Sequence, residues 1–307
     1  MKAAILSNIV VDEIISRDLK SSQSLGGPAA YCGITTRKFG FDTTLFTHFG
    51  NDLNPEYLEY LKNQGISFND LQPSSLPTTR FVLKNLEADR ELTLQSKCSA
   101  IDIEEIKNVK ANCWVVSPVF DEVHIDILKY LVSSHNEKEK QFVMLDPQGY
   151  TRIVDSKGRV SIRKKMDIPI HKVNGIKLDS QEISCFTNGL QGMEGMKKIR
   201  SIYEIDYVLY TQDQVIHLLE EGKHYWINVP KHETPDSTGL GDIIASSFAC
   251  TIVKEKDSVW AFCFAAGALT AALQTTQVGI KKVPSKSAIE QNATYYYNTM
   301  NFEILES

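Results

Sequence analysis

Hydrophobic positions follow two rhythms along this chain, short unbroken apolar runs and longer stretches with helical spacing, and their order sets the fold class. Ala3 to Val11 is a compact apolar run ending at Asp12, the pattern of a buried strand that brings a carboxylate to the edge of a sheet. After Gly26-Gly27-Pro28, the segment Ala29 to Phe39 has helical composition with Gly40 as its C-cap, and Thr43 to Phe49 returns to strand. The succession strand, helix, strand is that of a parallel βαβ unit.

The rhythm changes between Pro77 and Gln95. There Thr79 to Leu83 and Glu91 to Leu94 are β-rich and flank the polar Asn85 to Arg90, which predicts a hairpin. Cys113 to Ser117 and Phe142 to Asp146 read as short buried strands separated by a helix over Ile125 to Ser133. Ile176-Lys177-Leu178 and Tyr207 to Tyr210 read as two more core strands, with helices over Gln181 to Phe186 and Gly195 to Tyr203 between them. His217 to Val229 has hairpin character around Glu221-Gly222. Two long helices are expected at Asp242 to Val253 and Asp257 to Thr276, the second capped by Asp257 or Ser258. The expected α/β architecture is a mostly parallel sheet covered by helices and interrupted by one β-rich insertion, with residues 1–307 forming one domain.

Composition narrows the function classes. Hydrophobic residues make up 42% and charged residues 23%, as in ordinary globular chains with a sizeable core. With 33 basic against 38 acidic residues there is no overall positive field to hold a nucleic-acid polymer. The cysteines Cys32, Cys98, Cys113, Cys185, Cys250 and Cys263 form no CxxC pair, as expected of buried thiols in the cytoplasm. The N-terminus lacks a secretory apolar segment and no stretch approaches about 18 uninterrupted apolar residues, so neither export nor a membrane span is expected. The histidines show no metal-binding spacing, and no GxxxxGK[ST] phosphate loop occurs.

Chemistry concentrates at Asp236-Ser237-Thr238-Gly239-Leu240-Gly241-Asp242, where a helix is about to start. The first N–H groups of a helix have no internal partners and lie at the positive end of its dipole, which makes the turn an anion site. Glycine at 239 and 241 lets a phosphate approach the backbone. Asp242 would repel such a ligand unless it has a task of its own, and accepting the proton of an attacking hydroxyl is one. An ordinary capped helix start with an acidic first turn accounts for the same spacing.

The stretch resembles the DTTGAGD signature of the ribokinase-like (PfkB) carbohydrate kinases, with Ser237 and Leu240 as departures. Further matches follow the family order. Gly26-Gly27-Pro28-Ala29-Ala30, preceded by Asp12, looks like its double-glycine motif, and Pro77-Thr78-Thr79 with Asp89-Arg90 resembles its lid hairpin. Asp146-Pro147-Gln148 resembles its central-strand motif, and Asp179-Ser180-Gln181-Glu182 its N-x-x-E motif with Asp replacing Asn. Pro284 stands where the last nucleotide-side loop commonly closes. Tyr31 replaces the Asn common in sugar kinases, and with Asp179, Arg152 and Asp146 to Tyr150 it is similar to the archaeal myo-inositol kinase branch.

The resemblance implies a doubly wound α/β/α sandwich with a small β lid from segments near 13–25 and 77–96. It implies transfer of the γ-phosphoryl group of ATP, with Mg²⁺, to a hydroxyl of a small polyol, a sugar or a cyclitol such as myo-inositol. Asp242 would be the base, the N–H groups of Leu240, Gly241 and Asp242 would form the anion hole, and Gly239 would belong to the same catalytic turn. Asp12, Gly26, Gly27, Tyr31 and Arg152 would face the acceptor. Asp179, Glu182, Thr211, Thr238 and Gly279 would face the nucleotide, Glu182 reaching Mg²⁺ through water. Lids of this family can pair into a homodimer. Two alternatives stand beside this reading: a nucleoside kinase, in which Tyr31 stacks on a base, and a catalytically silent ligand-binding protein. Thr211-Gln212-Asp213, where the family usually has Thr-x-Gly, sets a carboxylate near the expected phosphates or ribose.

Overall fold

The computed structural model describes residues 1–15, 21–85, 90–133, 141–232 and 236–305. The first apolar run splits, because Ser7-Asn8 interrupts it. β1 (Lys2–Leu6) enters the main sheet, whereas β2 (Val10–Ile15) and β3 (Ser21–Gly26) leave it. The Asn8 side chain fixes the break by bonding the Ser99 carbonyl and the His48 N–H, and Thr47 Oγ1 accepts the N–H of Ile9. Asp12 therefore lies inside a second strand rather than at the end of the first, a correction to the expectation of one run from Ala3 to Val11.

α1 (Gly27–Lys38) leads to β4 (Asp42–Phe46), α2 (Pro55–Asn63) and the two-residue β5 (Ser67–Phe68). β6 (Thr79–Asn85) and β7 (Arg90–Ser96) pair antiparallel, as the alternation predicts; Asp89 lies outside the described residues. Then come α3 (Ile103–Ile106), β8 (Cys113–Val116), α4 (Ile125–Ser133) and β9 (Phe142–Leu145). α5 (Gln148–Thr151) opens a small hairpin, β10 (Arg152–Val154) with β11 (Val160–Ile162), before β12 (Gly175–Asp179), α6 (Ser180–Thr187) and α7 (Gly192–Tyr203). β13 (Tyr207–Gln212), β14 (Val215–Glu220) and β15 (Lys223–Asn228) follow, then α8 (Leu240–Glu255) and α9 (Ser258–Gln274). A 3₁₀ turn (Gly279–Lys282), α10 (Lys286–Thr299) and β16 (Asn301–Ile304) end the described chain.

The main sheet runs β16-β15-β14-β13-β12-β9-β8-β1-β4-β5, parallel from β5 to β13 and antiparallel beyond. Its central strands are buried on both faces, successive residues facing opposite sides. Ala3, Ile5, Cys113 and Val115 pack with α1, α8 and α9, while Ala4, Leu6, Trp114 and Val116 pack toward α4, α6 and α7. A smaller sheet, β3-β2-β6-β7, draws on both segments expected for the lid and starts at Val10. The β10–β11 hairpin docks on it, the N–H of Leu94 donating to Gly158 O at 2.8 Å. Among the described residues no helix is long and apolar enough to cross a membrane.

Candidate active site

In open α/β sheets the carboxyl ends of the parallel strands form the natural crevice. Here β8, β9 and β12 deliver Ser117, Asp146 and Asp179 to that edge. α8 starts opposite them. Gly239 is its N-cap with φ 76°, and a Cβ there would lie 2.4 Å from the Tyr31 ring, so glycine is required twice over. Leu240, Gly241 and Asp242 occupy the first turn, and with Gly239 they line a cavity of about 860 Å³.

Asp242 is buried, with Ser117 Oγ at 3.5 Å and Gln148 Nε2 at 3.4 Å from its Oδ1. Burial and the neighbouring Asp146 push its carboxyl above the usual range, against the pull of Lys177 and Arg152. Arg152 donates to Gln148 Oε1 and to the Val119 carbonyl, at 2.8 and 2.9 Å, and lies over the Phe81 ring of the smaller sheet. Arg152 and Gln148 thus tie the carboxylate on α8 to the smaller sheet.

Lys177 is a site residue that the motifs do not mark. Its ammonium is enclosed in β12, 3.5 Å from Glu182 Oε2 and 3.7 Å from Asp146 Oδ2, and a Cβ on Gly241 would come within 3.0 Å of Nζ. Burial alone would lower its pKa; Asp146 and Glu182 raise it, so the positive charge is kept beside the first turn of α8. The available signal is a charge inside the apolar run Ile176-Lys177-Leu178.

Asp179 and Glu182 form a capping box at the start of α6. Asp179 Oδ1 accepts the N–H of Gln181 and Glu182, while Glu182 Oε2 accepts the N–H of Asp179 at 2.8 Å. Both line the cavity, with Arg163 and Lys164 of the segment after β11 on another wall. Among the described residues no cluster of three or more side chains gathers as direct metal ligands.

The other expected residues take different places. Asp12 faces Gly26, where a Cβ would fall 1.9 Å from Asp12 Oδ2, and burial raises its pKa to about 7 against the charges of Arg152 and Lys282. Gly27 opens α1. Tyr31 is sealed beneath Gly239 at 1% exposure, supporting the turn from below instead of opening to the cavity. Thr238 and Gly279 donate their N–H groups to Asp236, and Gly279 packs against Ser24 of β3. Thr211 Oγ1 reaches the Leu178 carbonyl, and Asp213 takes the left-handed φ of 53° that a glycine would adopt in the β13–β14 turn. Among the described residues expected at the site, Asp12, Gly26, Gly27, Tyr31, Thr211, Thr238 and Gly279 do not line this cavity.

No protein-family model and no curated protein sequence matches the chain. Solved structures do. One is a pyrophosphate-dependent kinase in the ribokinase family, complexed with a pyrophosphate analog and myo-inositol, with a TM-score of 0.79 at 19% identity over 94% of this chain and 99% of that one. Ribokinase from Thermotoga maritima superposes with a TM-score of 0.75 at 16% identity, covering 96% and 99%. The chain has a ribokinase-like fold. Arabidopsis thaliana ribokinase, solved with ribose and ATP, shares this ribokinase-like fold with a TM-score of 0.71 at 16% identity, covering 95% and 98%. Within it, the crevice that joins α8 to the carboxyl ends of β8, β9 and β12 is the candidate active site.

Proposed function

We propose that the protein is a kinase that transfers the terminal phosphoryl group of ATP to a hydroxyl of a small polyol, a sugar or a cyclitol such as myo-inositol. The observation that carries this reading is a buried carboxylate, Asp242, in the same helical turn as the free N–H groups of an anion site and beside the Lys177 ammonium. The acceptor oxygen attacks the γ-phosphorus, its proton passes to Asp242, and the bond from phosphorus to the ADP oxygen breaks. The N–H groups of Leu240, Gly241 and Asp242, with Lys177, face the charge that gathers on the transferred group. Mg²⁺, when bound with the donor, would neutralise phosphate charge; the oxygen-rich wall suits its preference for few protein ligands and several waters, with Glu182 reaching it through water.

A second reading concerns the donor. Arg163 and Lys164 line the cavity together with the anion turn, basic groups that could take the far phosphate of pyrophosphate, and a pyrophosphate-dependent kinase shares the fold. Steady-state assays with ATP or pyrophosphate, each against myo-inositol, ribose, fructose, ketodeoxygluconate and nucleosides, separate the two. Asp242→Asn should lower kcat by about 10²–10⁴-fold with whichever donor works. Near-wild-type turnover by a folded Asp242→Asn protein rules out Asp242 as the base.

A further inference from the structure

A lysine whose side chain has no solvent exposure must have its charge matched inside the protein. Lys282, the last residue of the 3₁₀ turn, is such a residue. Its Nζ donates to the Asp236 carbonyl oxygen at 2.9 Å and lies 3.0 Å from Asp236 Oδ2. The same carboxylate accepts the N–H of Thr238 on Oδ1 and the N–H of Gly279 on Oδ2, both at 2.8 Å. The ammonium also stands 5.6 Å from the centre of the Tyr31 ring, the ring that closes beneath Gly239.

One charge thereby joins three pieces: the 3₁₀ turn, the Asp236 backbone and the floor under Gly239. The chain from Asp236 to Gly239 leads directly into the first N–H groups of α8. We propose that Lys282 is a positioning residue, a tethered cation that fixes the Asp236–Gly239 turn and so aims the anion-hole N–H groups at the transferring phosphoryl group. The proposal rests on the kinase reading for its effect on rate. Among the described residues, the carboxylates of Asp236 and Asp12 and the ring of Tyr31 are groups whose charge or ring faces this ammonium. Misplacement of a catalytic element by about 1 Å costs on the order of 10²-fold in rate.

Lys282→Met keeps the length and removes the charge. It should lower kcat about 10²-fold while the KM for the acceptor stays within about twofold. In Lys282→Ala, added methylammonium should restore part of the lost kcat and the bulkier tetramethylammonium should not. Wild-type kcat in folded Lys282→Met, or no amine rescue of Lys282→Ala, overturns the proposal. Amide hydrogen exchange at Thr238 to Asp242 needs no turnover: faster exchange in the Met variant, or in the Ala variant if Met does not fold, supports the tether, and unchanged exchange overturns it. That readout holds even if the wild-type protein phosphorylates none of the polyols, so the two failures remain distinct.

Discussion

Lys177 stands between Ile176 and Leu178 in a strand buried on both faces, and Asp146 and Glu182 keep its charge there. Asp146 and Lys177 also act on Asp242, which as the proposed base would accept a proton only when ionised. Because burial and Asp146 raise its pKa, kcat/KM should climb with pH through a limb lying above the usual aspartate range. Asp146→Asn removes a charge that raises the pKa and should move that limb to lower pH. Lys177→Met removes a charge that lowers it and should move the limb to higher pH. Profiles of kcat/KM against pH for the three proteins decide the matter, and a limb that stays put in both variants would dissociate it from Asp242.

At the scale of elements, the turn from β12 into α6 is held by the reciprocal bonds of Asp179 and Glu182. Asp179→Ala should cost about 0.5–2 kcal/mol of stability, whereas Asp179→Asn, an equally good N-cap, should stay near wild type. Urea unfolding midpoints read this directly. A strong helical period made α4 legible in the sequence, spanning the predicted Ile125–Ser133, and a long apolar run behind a capping residue did the same for α9, which begins after Asp257. Ser7-Asn8 hid a change of sheet, because two small polar residues do not interrupt an apolar average although their hydrogen bonds redirect the backbone. β10 and β11 are three-residue strands with mixed exposure, and α10 carries many polar residues, so neither has the periodicity that would reveal it. In the site, Gly239, Gly241, Asp242, Arg152, Asp179 and Glu182 were legible as motif residues and all line one cavity. Lys177 and Lys282 were not, because their partners lie on other elements and no local spacing records a tertiary ion pair.

At the scale of the whole molecule, seven parallel strands among the described residues and their helices form the body that holds Asp242, while Asp12 rides on the smaller sheet. Arg152 spans the two, bonded to Gln148 and lying over Phe81. On the proposed kinase reading, a ligand held by Asp12 at one end and presenting a hydroxyl to Asp242 at the other would become a strut between the sheets. Such a pair of carboxylates would then work as a caliper, measuring the acceptor before the phosphoryl group moves. On that reading glycerol, shorter than a cyclitol, should be a poor acceptor through a lowered kcat as well as a raised KM, since it would bridge the two carboxylates less well. Competition assays with myo-inositol and glycerol at saturating donor would measure it, and equal kcat for the two would show that the two carboxylates do not gauge length. Asp12→Ala should blunt the same discrimination while leaving the proton-accepting carboxylate in place.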